Sequence, residues 1–408
     1  MPERIIAAIE LGTAKIAVLV GEIHSRKKLN VIGFAQTPSE GIRKGEIVDF
    51  KTVSLIAHQT LEAAEKSAQT RIDRVFLSQT GGHLQGLFHL GKASITGADG
   101  MVRESDIQRA IREAKSKQLP ENRVYLHHIH NGFQLNGKPV NQPLGMEGQE
   151  LAVGYWSIHA DLAKLKDSIH IINGFGLNVE DVIVSSLASA HMVGTDIEKM
   201  SGALVIDMGA GTTDYALYQN GFIVRTGSLP VGGDHFTHDL SLAMRIPIDH
   251  AEYLKCNHGH AVAVLQDQQA TLKLPSSKNM DQRTIGVYAM QMVLEARARE
   301  ILTLIHEDIQ PLLSHHLLPG GIILTGGASL LPGLNIWAER IFQSPCRLGE
   351  NPAWVNDDLR LPAYSTVLGL LSYALTHFSS LPQKPSSSAS FLQKIAKMLH
   401  LTPRSYGG

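Results

Sequence analysis

Three apolar runs open the chain, residues 4–9, 15–23 and 29–36, rich in Ile, Val, Leu and Ala and ended by turn residues. Gly12 marks the first break and Ser25-Arg26-Lys27-Lys28 the second, so the runs predict three consecutive strands. Val53, Ile56, Ala57, Leu61 and Ala64 then fall three or four apart, which predicts a helix over 52–68. Residues 74–79 return to a strand pattern. The same order recurs after Gly202: a strand over 203–206, a glycine turn, a strand over 213–218, an Asn220-Gly221 hairpin turn and a strand over 222–229. In both passages an acid, Glu10 or Asp207, ends a buried strand and opens a glycine turn. The spacing far exceeds the ~20–50 residues of a solenoid unit, so it predicts two domains of like topology.

Residues 83–158 interrupt the first passage with short strands, a helix near 105–116 and a polar loop over 136–148, the pattern of an inserted subdomain. Residues 247–306 carry a polar stretch, 266–282, and a long helix around 285–306. A further strand, 320–324, runs into Thr325-Gly326-Gly327-Ala328. Beyond Thr376 the composition shifts to Ser and Pro, and 379–390 reads as a flexible linker. Helical periodicity then returns over 391–401. Phe391, Leu392, Ile395, Ala396, Met398 and Leu399 share one face, and Gln393, Lys394, Lys397 and His400 the other.

Composition narrows the class. The 408 residues carry Lys+Arg 37 against Asp+Glu 38, a net charge of −1, which gives no global footprint for nucleic acid. With 43% hydrophobic residues the chain can build real cores. Cys256 and Cys346 are too few for a disulfide framework, so a reducing cytosol is expected. The first apolar run breaks at Glu10, too early for a secretory signal, and no run approaches the ~18 apolar residues of a membrane span.

The two acid–glycine turns carry the main chemistry. Glycines at a strand end let backbone N–H groups approach phosphate oxygens. Gly12, Thr13, Ala14 and Lys15 form the first candidate loop, and Gly209, Ala210, Gly211, Thr212 and Thr213 the second. The threonines add hydroxyl donors and Lys15 a point charge. Glu10, Asp207 and Asp214 supply hard oxygens suited to Mg²⁺ through its retained waters. Gly232, Gly233 and Asp234 open a helix whose N-terminus attracts anions, although Asp234 would also serve as an ordinary cap. Glu252 and Lys255 share a helix face, where spacing alone favours a solvated ion pair. Gly326, Gly327 and Ala328 could lie flat beneath a purine, or form a plain αβ turn.

Other signals lead nowhere. Residues 86–93 nearly spell a P-loop, but Ala93 stands where the Mg²⁺-ligating hydroxyl belongs. The 20 histidines, clustered at 127, 128 and 130, at 258 and 260, and at 315 and 316, show no zinc-site spacing and read as surface or satisfied-core residues. No GxSxG elbow is present, and neither cysteine sits in a nucleophile motif. The tail is different. A flexible linker separates it from the body, and Lys394, Lys397 and Arg404 could each add ~1 kcal/mol of attraction to anionic lipid. Phe391, Leu392, Lys394, Ile395, Lys397, Met398 and Leu399 are therefore expected to form an interfacial anchor, weak in one copy and stronger in an assembly.

With these residues in place, the sequence resembles the superfamily of actin, DnaK-type chaperones and sugar kinases, and within it the FtsA family of bacterial division proteins. Residues 10–15 look like the first phosphate loop, 207–214 like the second, and 232–239 like the Gly-Gly-Asp segment. Glu252 and Lys255 match the ribose-contacting helix, 325–328 the adenosine loop, and 365–369 the connecting helix near the C-terminus. Residues 41–45, 187–189 and 142–148, the position of the insert and the amphipathic tail are similar to the FtsA pattern in particular. Glu10 stands where much of the superfamily has Asp, and Ala210 replaces a glycine, which would strain the backbone if φ there were positive.

The resemblance implies an α/β fold of duplicated actin-like (ribonuclease H-like) domains, with an inserted 1C-type subdomain and a C-terminal amphipathic helix. Its divisions would be 1A over 1–82, 159–198 and 362–378; 1C over 83–158; 2A over 199–245 and 307–361; 2B over 246–306; the linker over 379–390; and the membrane helix over 391–401. It also implies binding of ATP and Mg²⁺ with at most weak ATPase activity, and self-assembly into protofilaments. Partners would be the FtsZ C-terminal tail at 2B, downstream division proteins and anionic membrane lipid, with no nucleic acid. The expected place is the cytoplasmic face of the cell membrane at the septum. Two alternatives share the fold: a PilM-like scaffold of a pilus or secretion machine, without a membrane helix, and a sugar kinase, for which no sugar-binding constellation is visible.

Overall fold

The computed structural model of the 408-residue chain describes residues 4–25, 28–274, 284–313 and 318–380. The expected strands, the first helix and the long helix all form; the strands over 74–79 and 222–229 keep their expected bounds, and the others are longer or shifted at their ends. β1 (Arg4–Leu11), β2 (Lys15–Ser25) and β3 (Lys28–Pro38) are the antiparallel meander. A short hairpin, β4 (Ile42–Arg43) and β5 (Glu46–Ile47), leads into α1 (Phe50–Ala68). That helix starts two residues earlier than its apolar periodicity shows, because Asp49 caps it, accepting from the Thr52 N–H at 3.2 Å. β6 (Arg74–Gln79) then pairs parallel to β1.

The insert comprises β7 (Gln85–Ser94), α2 (Glu104–Lys115), β8 (Arg123–Leu135), β9 (Lys138–Val140) and β10 (Glu150–Asp161). Its sheet order is β7-β10-β8-β9, all antiparallel. Two expectations need correction here. Apart from β9 the strands are long rather than short, 10, 13 and 12 residues in β7, β8 and β10, and central β10 is buried along nearly its whole length, with α2 over one face. The polar loop at 136–148 also contains β9, whose pairing with β8 gives a polar segment an edge position. The P-loop look-alike is ordinary strand, β7. Its Gly91 is there for packing, because a Cβ would lie 2.1 Å from the Ala110 carbonyl of α2.

The chain returns through α3 (Leu162–Asn173), β11 (Asn178–Val184), α4 (Ser185–Val193) and α5 (Asp196–Ser201). The second half repeats the first: β12 (Ala203–Met208), β13 (Thr213–Gln219) and β14 (Phe222–Leu229) form its meander, with the Asn220-Gly221 turn as expected. Next come α6 (Gly233–Met244), α7 (Ile248–His258), the β15 (Thr271–Lys273)–β16 (Thr284–Gly286) hairpin and α8 (Val287–Ile309). β17 (Gly321–Thr325), α9 (Leu334–Phe342), β18 (Cys346–Leu348) and α10 (Ser365–Ser380) complete the described chain.

The two large sheets have the same topology. Read from the meander edge, one runs β3-β2-β1-β6-β11 and the other β14-β13-β12-β17-β18, each with two antiparallel and two parallel pairings. The carboxyl ends of the parallel strands are where a ligand crevice forms in such sheets. The anchor helix 391–401 and its linker fall outside the described residues, apart from residues 379–380 at the end of α10.

Candidate functional site

A cleft of about 280 Å³ opens between the two sheets, and most of the residues singled out above meet in it. Strand ends explain the convergence. Glu10 sits near the end of β1, Thr80 just past β6, Ser185 just past β11, Asp207 near the end of β12 and Gly326 just past β17. The two glycine turns face each other closely: a Cβ on Gly211 would lie 2.3 Å from the Thr13 hydroxyl.

Gly12, Thr13, Ala14, Lys15, Gly209, Ala210, Gly211 and Thr212 line the cleft, as do Gly233, Asp234, Glu252, Lys255, Gly326, Gly327 and Ala328. Two residues do not. Thr213 is fully buried and donates to the Val231 carbonyl at 2.7 Å, since strand alternation turns it away from its neighbour Thr212. Gly232 stands behind the second turn, where a Cβ would meet the Gly209 and Ala210 carbonyls. It is also the N-cap of α6, so Asp234 is left facing the cleft and the capping account of Asp234 falls away. Ala210 does not have positive φ, so its methyl is unstrained.

The acids are held in low-dielectric surroundings. Burial, only partly offset by Lys15, pushes the Glu10 carboxyl up to about 7, and its Oε2 finds no hydrogen-bond partner among the described residues. Burial likewise raises Asp214 to about 7 and raises Asp207. Asp214 accepts from Thr80 Oγ1 at 2.8 and 2.6 Å, and Asp207 from Thr366 Oγ1 at 2.7 Å. Among the described residues no group of three or more His, Cys, Asp or Glu could hold a metal ion directly. The donor set instead suits a cation that keeps its waters, and the orphaned Glu10 oxygen is an acceptor waiting for such a donor.

Lys15 is already engaged: its ammonium donates to the Ala363 carbonyl at 2.7 Å. Glu252 and Lys255 do pair, at 2.7 Å, but at the cleft rather than in bulk solvent. Lys255 also donates to Thr237 Oγ1 at 2.8 Å and the Gly233 carbonyl at 3.2 Å. Burial lifts the Glu252 carboxyl, yet hydrogen bonds from Lys255 and Thr237 outweigh it and the net shift is downward.

Six lining residues escaped the sequence reading as ligand contacts: Thr80, Ser185, Cys256, Pro362, Ala363 and Thr366. The strand-end rule would have found Thr80 and Ser185. Nothing local marks Pro362 and Ala363, which reach the cleft only because α10 returns to the first half.

His128 and His130 belong to an aromatic cluster in the insert, not a metal site, whereas His127 Nε2 accepts from the Val184 N–H at the end of β11 at 3.3 Å. His128 Nδ1 lies 2.9 Å from the Ser157 hydroxyl, and Tyr125 packs against His89, His128 and His159. His315 and His316 lie outside the described residues. His258 packs against Tyr253, and the His260 ring bonds locally to Val262.

Duplicated sheets, a cleft at their strand ends and paired acid–glycine turns define an α/β protein of the actin-like class. The profile of "Cell division protein FtsA" matches residues 204–369, and that of "SHS2 domain inserted in FTSA" matches 81–159. The chain is 33% identical to the cell division protein FtsA of Pseudomonas aeruginosa, over 91% of this chain and 89% of that one. It is 32% identical to its Neisseria meningitidis counterpart, over 93% and 92%. The chain belongs to the FtsA family of cell division proteins. Among solved structures it is similar to a PilM–PilN type IV pilus biogenesis complex (TM-score 0.62, 16% identity, 91% of this chain and 98% of that one). It is also similar to MreB5 of Spiroplasma citri bound to ADP (TM-score 0.55, 16% identity, 92% and 97%). No described helix is long and apolar enough to cross a membrane.

Proposed function

We propose that this protein binds ATP with Mg²⁺ and tethers FtsZ filaments to the inner face of the cytoplasmic membrane during division, assembling into protofilaments and recruiting later division proteins. The observation that carries the nucleotide reading is the meeting of Glu10, Asp207 and Asp214 with both glycine turns in one cleft. The ADP held by the MreB5 relative of the same fold supports it.

In this reading the turns at 12–15 and 209–212 take the phosphates through backbone N–H groups, and the N-terminus of α6 adds its dipole. Glu252 and Lys255 take the ribose, and Gly326–Ala328 the base. Glu10, Asp207 and Asp214 would hold Mg²⁺ through its waters. When bound, the ion neutralises phosphate charge. The two halves contribute one loop each, so ATP favours the closed arrangement, while hydrolysis is at most weak.

The FtsZ tail would dock on 246–306, where α8 presents an open groove lined by Ala296, Arg299, Glu300, Thr303, Leu304 and, just beyond, Glu307. The anchor would be 391–401. FtsA relatives at 31–33% identity across the chain favour this over a PilM-like role, for which the support is shared fold. Calorimetry tests the first step: ATP should bind only weakly without Mg²⁺, and Asp207→Asn should weaken Mg²⁺-dependent binding at least ~10-fold. Deleting 391–401 should release the protein from anionic liposomes; continued pelleting would end the anchor reading.

A further inference from the structure

The insert belongs to the first half by chain connection but also rests on the second half. It departs just after Thr80 and rejoins the first half at α3, whose cap is Asp161. Trp156 of β10 nevertheless donates from its indole N–H to the Thr226 hydroxyl of β14 at 2.9 Å. Leu84, Trp156 and Ile158 also share one apolar core with Tyr218 and Ile223 of the second half. A subdomain fixed to both halves must respond when they move relative to each other.

At the seam stands Thr80, lining the cleft and bonded across it to both oxygens of Asp214. The next residue, Gly81, donates its N–H to the Ser228 hydroxyl at 3.2 Å. Asp214 and Ser228 are register partners on β13 and β14, so one cross-strand pair holds both Thr80 and the first residue of the insert. Gly81 has φ +120°, a conformation that other residues rarely adopt, as suits a pivot.

We infer that Thr80 is the positioning residue through which the contents of the cleft set the placement of the inserted subdomain. A threonine hydroxyl has one proton to donate. An occupant that engages Asp214 competes for Thr80's acceptor, and the change passes through Gly81 and Ser228 to the root of β7. This rests on the nucleotide reading above.

The test is amide hydrogen exchange on the full chain with and without ATP-Mg²⁺, for wild type, Thr80→Val, Thr80→Ser and Ser228→Ala. Wild type should gain protection at 10–15 and 207–214, and its exchange in β7 and β8 should change at least about twofold. With each variant compared at a nucleotide concentration that saturates its own cleft, Thr80→Val should lose the insert response and Thr80→Ser should restore it. Ser228→Ala should reduce it, which keeps the test alive if the valine variant misfolds. Cleft protection with an unmoved insert, or an unchanged response in Thr80→Val, overturns the inference alone. No protection at the cleft overturns the nucleotide reading as well.

Discussion

The Lys15 ammonium, 2.7 Å from the Ala363 carbonyl and 5.1 Å from the centroid of the Tyr364 ring, joins the first glycine turn to the segment that begins α10. A polyphosphate must draw Lys15 away from both partners. Losing the ring contact removes about 0.5–1 kcal/mol of competition, so Tyr364→Leu should tighten ATP binding about two- to fivefold. Lys15→Gln should weaken it at least ~10-fold. Isothermal titration reads both; equal affinities for wild type and Tyr364→Leu would show that Lys15 is not held back.

Packing of α10 on α4 sets a second expectation. A Cβ on Gly369 would lie 1.9 Å from the Ala188 carbonyl, and backbone cannot yield as a flexible side chain can. Gly369→Ala should cost about 1–3 kcal/mol, seen as a lower denaturation midpoint. An unchanged midpoint would mean the two helices are not seated as described.

The main frame was legible in sequence because it rests on local signals: the meanders of both halves, Gly12 and Gly209–Gly211 at strand ends, and the α1 periodicity. What escaped was long-range. Thr366 reaches Asp207, and Ala363 reaches Lys15, only through the closing of α10 onto the first half. Thr213 was misplaced for a smaller reason, strand alternation one residue beyond Thr212. The β9 edge strand was missed because Lys138–Val140 has the composition of a loop and is held by pairing rather than burial.

The insert's histidines predict a pH dependence. Burial, helped by neighbouring cations or imidazoles, pushes His127, His128 and His159 down to about 4, and His83 near the root of the insert shifts alike. Lys115 faces His128, and Arg123 donates to His159 Nδ1 at 2.6 Å. Each imidazole is neutral in the fold, whereas the unfolded chain protonates it below about 6.5. The unfolded state therefore binds more protons between about 6.5 and about 4, and this contribution to stability falls as pH drops through that window. Glu10 and Asp214, raised to about 7, act in the opposite sense, losing stability as pH rises towards 7. Imidazole NMR titration separates the two. These four rings should not protonate above about pH 5; ordinary titration near 6.5 would contradict the burial account.

The central claim is that nucleotide in the cleft turns this chain into a membrane tether for FtsZ. Sedimenting FtsZ with the full protein and anionic liposomes, with and without ATP-Mg²⁺, tests it most directly. The account predicts that FtsZ pellets with the lipid only when both this protein and ATP-Mg²⁺ are present. FtsZ remaining in the supernatant under those conditions, or pelleting equally without nucleotide, would contradict it.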